Sequence, residues 1–455
     1  MNAQQNIHRL VRSVIFSFVF AVAANAAVTV SVSPDKADPI YKINQPVVFT
    51  VSVMEDGKAV SQGRIDYKIT KDVGGPELSK GTLKIDGRQT PLTITTSLNE
   101  PGMIFCSVEY SVETATQPGD QKKDKNITAC AGVAVDPLKI KPSMPAPDDF
   151  DAFWDGWKKK LSTRPMNPKL DPVAVDAKRY PNIEVFKLML DCLGPKPVHA
   201  YVGWPKNAKP GSCPAIAYVY HYSGLNPGSL VWVEEQASKG RIAIDINAHG
   251  LEMGKPQSYY DQVGRELGWF VGQGQDDPNN FYFLWMYLRD WRALQYVKSL
   301  PQWDGKVLIV TGSSMGGGQS IALGGLEPSV SLVVANVPAM CDHSGFKANR
   351  VSGWARQAAT APADEQEKIL HTMRYFDGVN FAARMKGRLI VSCGFIDGVC
   401  QPTSIYAAFN AVTTPNKKMI YVPTMGHEFP EQVQKAFKAA IDEHIETYHP
   451  VASPK

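Results

Sequence analysis

The sequence predicts a doubly wound α/β domain with a mostly parallel sheet, preceded by a small β-sandwich. Three observations point there. Residues 27–138 alternate apolar and polar side chains with period two, in short runs cut by glycines. Residues from 148 onward carry continuous apolar runs separated by helical stretches, the pattern of strands buried on both faces. The 455-residue length exceeds one ordinary domain.

The first 26 residues read as a signal peptide. His8, Arg9 and Arg12 make a basic start, Val14 to Ala24 an apolar stretch too short to span a bilayer, and Ala24-Asn25-Ala26 a small-x-small cleavage site. A periplasmic or secreted protein follows, with no nearby cysteine for a lipid anchor. Disulfides are permitted in those compartments, and Cys106 with Cys130 and Cys192 with Cys213 are candidate pairs. The total of seven leaves at least one cysteine without an intrachain partner.

In 27–138 the alternating sets Val28/Val30/Val32, Val47/Phe49/Val51/Val53, Ile65/Tyr67/Ile69, Leu92/Ile94 and Ala131/Val133/Val135 predict short half-buried strands. Gly57, Gly74-Gly75, Gly87 and Gly102 separate them, as in an immunoglobulin-like sandwich. All nine Trp lie beyond residue 150, so a packing or spacer role is favoured over sugar binding by aromatic platforms. A Pro-rich linker, 139–147, follows. Asp148 or Asp149 then caps a helix that lines up Phe150, Phe153, Trp154 and Trp157, with Lys158-Lys159-Lys160 at its C-terminal end. In 148–455 the runs Ala215–Tyr220, Ile242–Ile246, Val307–Thr311, Leu332–Val337, Leu389–Cys393 and Met419–Val422 predict the sheet, and Val185–Leu190 with Val198–Trp204 an antiparallel pair leading into it.

Composition excludes several classes. Charged residues at 20% and hydrophobic ones at 44% belong to a folded chain. A net charge of +4 is too small for a protein held to nucleic acid by charge. There is no apolar run of membrane-spanning length. The cysteines lack zinc-ribbon spacing, and no metal or organic cofactor is implied.

The chemistry begins at Gly312-Ser313-Ser314-Met315-Gly316, between a strand and a helical Gln319–Leu323. This is G-x-S-x-G in a strand–turn–helix setting, where a strained turn exposes a nucleophilic serine. A serine hydroxyl needs a base and an orienting acid. Asp397 follows the strand Leu389–Cys393 and His427 the strand Met419–Val422, which places both on the sheet edge that carries Ser314. Asp342 is the second choice of acid, because it too follows a strand; Asp377, with no strand directly before it, ranks lower. The oxyanion hole is assigned to the backbone N–H groups of Met315 and Tyr222, the latter in the loop His221-Tyr222-Ser223-Gly224.

The region from Pro147 to Tyr448 resembles the acetyl xylan esterase/cephalosporin-C deacetylase family of α/β-hydrolases, carbohydrate esterase family 7. The most specific likeness is Tyr375-Phe376-Asp377-Gly378-Val379-Asn380-Phe381-Ala382-Ala383-Arg384. Others are Asp397 with Cys400 and Pro402, Tyr406 to Asn410, His427-Glu428, and Asn336-Val337-Pro338 with Cys341. The resemblance implies Ser314 as nucleophile, Asp397 as acid, His427 as base and Tyr222 at the oxyanion hole. Two departures stand out. Met315 replaces the family's glutamine at the elbow, which should change the pocket wall. Asn247-Ala248-His249-Gly250 stands where an R-G-Q motif is expected, which puts the family's pocket contacts and hexamer in doubt.

The expected function is a serine esterase that removes acetyl groups from acetylated xylan or xylo-oligosaccharides through an acyl-enzyme. The partner is that acetylated oligosaccharide or another small ester, with the oligomeric state open. Two alternatives remain: a serine hydrolase of other small esters or peptides that uses the same triad, and a non-catalytic glycan-binding protein in which the sandwich does the binding.

Overall fold

The computed structural model describes residues 28–87, 91–112, 125–221 and 225–449. The signal-peptide segment and Tyr222 lie outside the described residues.

The N-terminal strands are β1 (Val28–Pro34), β2 (Ile40–Tyr41), β3 (Val47–Glu55), β4 (Lys58–Ala59), β5 (Gly63–Lys71), β6 (Glu77–Ile85), β7 (Leu92–Thr96), β8 (Gly102–Val112) and β9 (Lys125–Val135). One sheet pairs β3 with β1, β4 and β7; the other runs β2-β9-β8-β5-β6. Their inner faces close on one core that holds Val47, Phe49, Val51, Ile65, Ile69 and Val133, the residues that alternate in the sequence.

The second sheet is built from β10 (Lys169–Pro172), β11 (Ile183–Leu190), β12 (Val198–Pro205), β13 (Cys213–Val219), β14 (Ile242–Ile246), β15 (Trp303–Ser313), β16 (Leu332–Asn336), β17 (Arg388–Gly394) and β18 (Lys417–Val422). Its order is β10-β11-β12-β14-β13-β15-β16-β17-β18. From β14 onward every pair is parallel, and β10, β11 and β12 add antiparallel pairs at one end. The helices are α1 (Phe150–Ser162), α2 (Leu230–Ser238), α3 (Gln257–Leu267), α4 (Tyr282–Ser299), α5 (Met315–Leu326), α6 (Gln357–Thr360), α7 (Gln366–Tyr375), α8 (Gly378–Ala382), α9 (Pro402–Ala411) and α10 (Glu431–Tyr448). One face of the sheet, with Val307 and Ile309, is covered by α2 and α10; the other, with Leu308 and Val310, by α4, α5 and α9. Adjacent residues of one strand thus enter opposite cores, which is why the strands read as unbroken apolar runs.

The exposed edge strand β10 escaped the sequence reading because all four residues face water and carry no hydrophobic signal. The helix α1 starts at Phe150 with Asp149 at the N-cap position, as expected, but the Asp149 side chain makes no capping bond: its carboxylate accepts from Tyr375 Oη at 2.5 Å. All seven cysteines are free thiols. Cys106 faces Ala131 and Cys130 faces Ser107 across β8 and β9, so the two thiols point to opposite faces of that sheet. Cys192 follows the C-terminal end of β11 whereas Cys213 begins β13, so they sit at opposite edges of the large sheet, beyond disulfide reach.

The sandwich is packed onto the large domain at the ends of β17 and β18. Gly132 of β9 lies against the carbonyl of Phe395, and Phe395 stacks on Tyr421 with ring centroids 5.3 Å apart. Tyr421 Oη donates to Asp38 at 2.9 Å. Met103, Ala134 and Ile140 belong to the same buried cluster as the large domain's core. The Pro-rich segment is held as well: Asn410 Nδ2 donates to the carbonyls of Pro137 (2.9 Å) and Ile140 (2.8 Å), and Ser143 donates to Asp342.

A Cβ at Gly132 would stand 2.3 Å from the Phe395 carbonyl oxygen, which is backbone and cannot swing away. Gly132→Ala is therefore expected to cost about 1–3 kcal/mol, read as a lower midpoint in urea denaturation. It should also lower turnover, because Phe395 opens the loop that carries Asp397. An unchanged midpoint would show that the two parts do not press on each other here.

Candidate active site

The turn after β15 is held by close packing. Ser314 has φ 56° and ψ −119°, a conformation a non-glycine residue adopts only under constraint. The constraint comes from its neighbours: Ser314 N–H donates to Asn336 O, and its carbonyl accepts from Gly318 and Ala339. A Cβ at Gly312 would meet Gly316 at 2.6 Å, and one at Gly316 would meet Val219 O at 2.2 Å. The two glycines of the motif are therefore steric requirements of strands packed beneath the turn. Met315 is the first residue of α5, so its N–H is one of the donors left free at a helix start.

Three side chains from three loops then form one hydrogen-bonded chain. His427 Nε2 stands 2.9 Å from Ser314 Oγ, and His427 Nδ1 stands 2.9 Å from Asp397 Oδ2. Asp397 is fully buried, while His427 keeps about a quarter of its side chain exposed, facing the serine. The other carboxylate oxygen, Oδ1, accepts from the N–H groups of Val399 (2.8 Å) and Cys400 (2.9 Å). A carboxylate fixed at both oxygens holds the imidazole ring in one orientation, with Nε2 turned to Ser314. His221 lies close enough that burial, and then the charge of His427, lower its pKa. Burial drives the Cys400 thiol well above its usual range, and the Ser314 hydroxyl beside it pulls the other way.

The remaining sequence candidates lie elsewhere. Asp342 is buried in an ion pair with Arg350 (2.6 Å) and accepts from Ser143, so it ties the Pro-rich segment to the large domain. Asp377 accepts the N–H groups of Asp342, His343 and Val379, and burial raises its pKa to about 7. Neither meets His427. The Met315 side chain is fully buried in the main core, so it does not shape an open pocket wall as the sequence suggested. His249 is also fully buried, with Nδ1 2.8 Å from Tyr282 Oη. Among the described residues no group of three or more His, Cys, Asp or Glu stands ready for a metal ion.

Sequence reasoning missed the residues that hold the three loops. Asn336 Nδ2 donates to Ser313 Oγ and to Glu428 O, and its Oδ1 accepts from Ser392, linking the serine turn to the histidine loop. Gln401 is buried under the acid loop: Nε2 donates to Gly398 O and to Val73 O, both at 3.2 Å, and Oε1 accepts from Val73 N–H at 3.3 Å. Asp72, next in the same β5–β6 turn, accepts from the Thr403 hydroxyl, and burial raises its pKa to about 6. The sandwich thus grips the acid loop from below. A polar residue buried by another domain leaves no periodic signal; only the Asn336-Val337-Pro338 motif stood out.

Residues 133–442 match the acetyl xylan esterase (AXE1) family. The acetyl esterase Axe7A of Xylanibacter ruminicola is 28% identical over 400 residues, covering 85% of this chain and 84% of that protein. That alignment is longer than the family match and reaches into the N-terminal strands. The acetyl xylan esterase from Paenibacillus sp. R4 superposes with a TM-score of 0.57 at 26% identity, covering 68% of this chain and 98% of that one. Acetyl xylan esterase 1 from Thermoanaerobacterium sp. JW/SL YS485 shares the fold, with a TM-score of 0.58 at 23% identity over 68% and 97% of the two chains.

Asp397→Asn should lower kcat by about four orders of magnitude, the loss that follows when the histidine tautomer is no longer held. Asp342→Asn should chiefly lower the melting temperature by breaking a buried ion pair. Equal kinetic losses in both, measured on an aryl acetate, would overturn the assignment of the acid. Gln401→Ala should lower kcat more than it changes KM.

Proposed function

We propose that this chain, which belongs to the acetyl xylan esterase family, is a serine esterase that removes acetyl groups from acetylated xylan or xylo-oligosaccharides through an acyl-enzyme. The observation that carries the reading is the continuous chain Ser314 Oγ–His427 Nε2, His427 Nδ1–Asp397 Oδ2, with both links at 2.9 Å.

In this reading His427 Nε2 takes the Ser314 proton as Oγ attacks the acetyl carbonyl carbon. The developing oxyanion is met by the N–H of Met315 and, in the loop that follows β13, by the N–H of Tyr222. His427 returns the proton to the departing sugar alkoxide, leaving acetyl on Ser314. A water, deprotonated by His427, then releases acetate and restores the serine. Asp397 stays ionised throughout and stabilises the imidazolium. The basic start, apolar stretch and Ala24-Asn25-Ala26 of the first 26 residues support a periplasmic or secreted location.

Acetate release from acetylated xylo-oligosaccharides tests the substrate. Ser314→Ala should reduce it by several orders of magnitude with the fold intact, and near-wild-type release would remove Ser314 from the mechanism. The family's small acyl site predicts acetyl esters cleaved much faster than octanoyl esters; a rate that rises with acyl length would instead make this a lipase.

His427 must be neutral to act as base, so kcat/KM should fall on acidification through one protonation. His343 does not supply that limb. Burial holds His343 down to about 3, so it stays neutral across the working range, and His221 is lowered too. His427→Ala should abolish the limb and His343→Leu should leave it in place. A limb that survives in His427→Ala would identify another base.

A further inference from the structure

The hairpin loop before β12, the segment after β14 and the start of α4 enclose a cavity of about 320 Å³. It lies at the C-terminal edge of the large sheet, where α/β proteins bind ligands. The strand β14 stands two places from β15, which leads into Ser314.

Two cations converge on it. Arg289 lines the cavity although only 2% of it is exposed. Its Nε and Nη2 both donate to one acceptor, the carbonyl of Ala248, at 3.2 and 2.7 Å. That leaves most of the five guanidinium donors uncommitted. Lys196 lines the cavity from the opposite loop. Both side chains start against Gly250: a Cβ there would stand 2.9 Å from Lys196 Cβ and 3.1 Å from Arg289 Cδ. Burial, and then the nearby Arg289 guanidinium, lower the Lys196 pKa, and the charge of Glu266 pulls the other way.

No Asp or Glu lines the cavity, and neither cation is ion-paired among the described residues. Asp290 follows Arg289 in sequence, but its two carboxylate oxygens are buried without a hydrogen-bond partner and burial raises its pKa to about 8. It is a poor counter-ion at neutral pH. Arg289 is buried and Lys196 is half-buried beside it, so an anion that enters between the two cations is favoured. The rest of the lining suits a sugar ring: Trp285 and Tyr282 offer aromatic surface, and Gln273 and Asn280 offer amides for hydroxyl groups.

We propose that this cavity binds a carboxylate carried on a pyranose ring, a uronic-acid unit of the acetylated glycan, with Lys196 and Arg289 meeting the carboxylate. The enzyme would then favour acetyl groups near an acidic branch. This rests on the acetyl xylan reading for the polymer, though not for the binding itself.

Binding is measured by calorimetry on full-length Ser314→Ala with methyl glucuronoside, methyl glucoside, acetate and inorganic phosphate as probes. The glucuronoside should bind, the neutral glucoside at least tenfold more weakly. Lys196→Glu should weaken the glucuronoside at least tenfold, and Lys196→Met, which keeps the aliphatic stem, should weaken it less, both with unchanged melting temperature. Acetate or phosphate binding as tightly as the glucuronoside would overturn the sugar assignment, and no binding of any anion would overturn the site. In turnover, Lys196→Glu should cut the preference for uronic-acid-bearing over neutral acetylated xylo-oligosaccharides at least tenfold. Glucuronoside binding without hydrolysis of either oligosaccharide would leave the site standing and refute the acetyl xylan reading instead.

Discussion

Asp397 sits fully buried with one carboxylate oxygen on His427 and the other on two N–H groups of its own loop. A buried carboxylate is tolerated only when its hydrogen-bonding capacity is filled, so the backbone from Gly394 to Thr403 must hold one shape. That requirement reaches far along the chain. Gln401 fastens the loop to the β5–β6 turn, Thr403 fastens it to Asp72, and Gly132 presses on Phe395 at its start. Asn336 connects the serine turn to the histidine loop. The three reacting side chains form one hydrogen-bonded chain, but their positions are set by contacts that run from residue 38 to residue 428.

The parts of the fold governed by periodicity were legible in the sequence. Six of the strands of the large sheet are continuous apolar runs because each contributes to two cores, and the sandwich strands alternate because their inner faces share one core, with Met103 of β8 and Ala134 of β9 turned to the large domain's core. The residues Ser314, Asp397 and His427 were placed by their order after strands, and the structure brings them together. What stayed hidden were pairings with no local pattern. Asp342 looked like a rival acid because it follows the strand β16, and Asp377, with no strand directly before it, ranked lower. Only three-dimensional contacts show one spent on Arg350 and the other on backbone N–H groups. Gln401 meets Val73, and Thr403 meets Asp72, across more than three hundred residues of chain, a separation that no local reading spans.

The departures from the family pattern separate by depth. At the elbow, Met315 has exchanged a polar side chain for one that vanishes into the core, and it leaves the backbone donor where it was. Past β14, His249 is set on Tyr282 and Phe270, and the guanidinium in that corner comes from α4, as Arg289. Charge is still present there, but it reaches the region from a helix instead of from the loop after the strand.

The shared burial of Met103, Ala134 and Ile140 with the large domain's core bears on modularity. A bead joined by a linker can be lost, duplicated or exchanged in evolution without harm to its neighbour. This N-terminal region is not such a bead. Removing it would strip cover from Phe395 and Tyr421, break the bonds of Gln401 to Val73 and of Thr403 to Asp72, and free the loop that holds Asp397. Lineages carrying this arrangement must inherit both halves together, and substitutions on one side of the seam constrain those tolerated on the other.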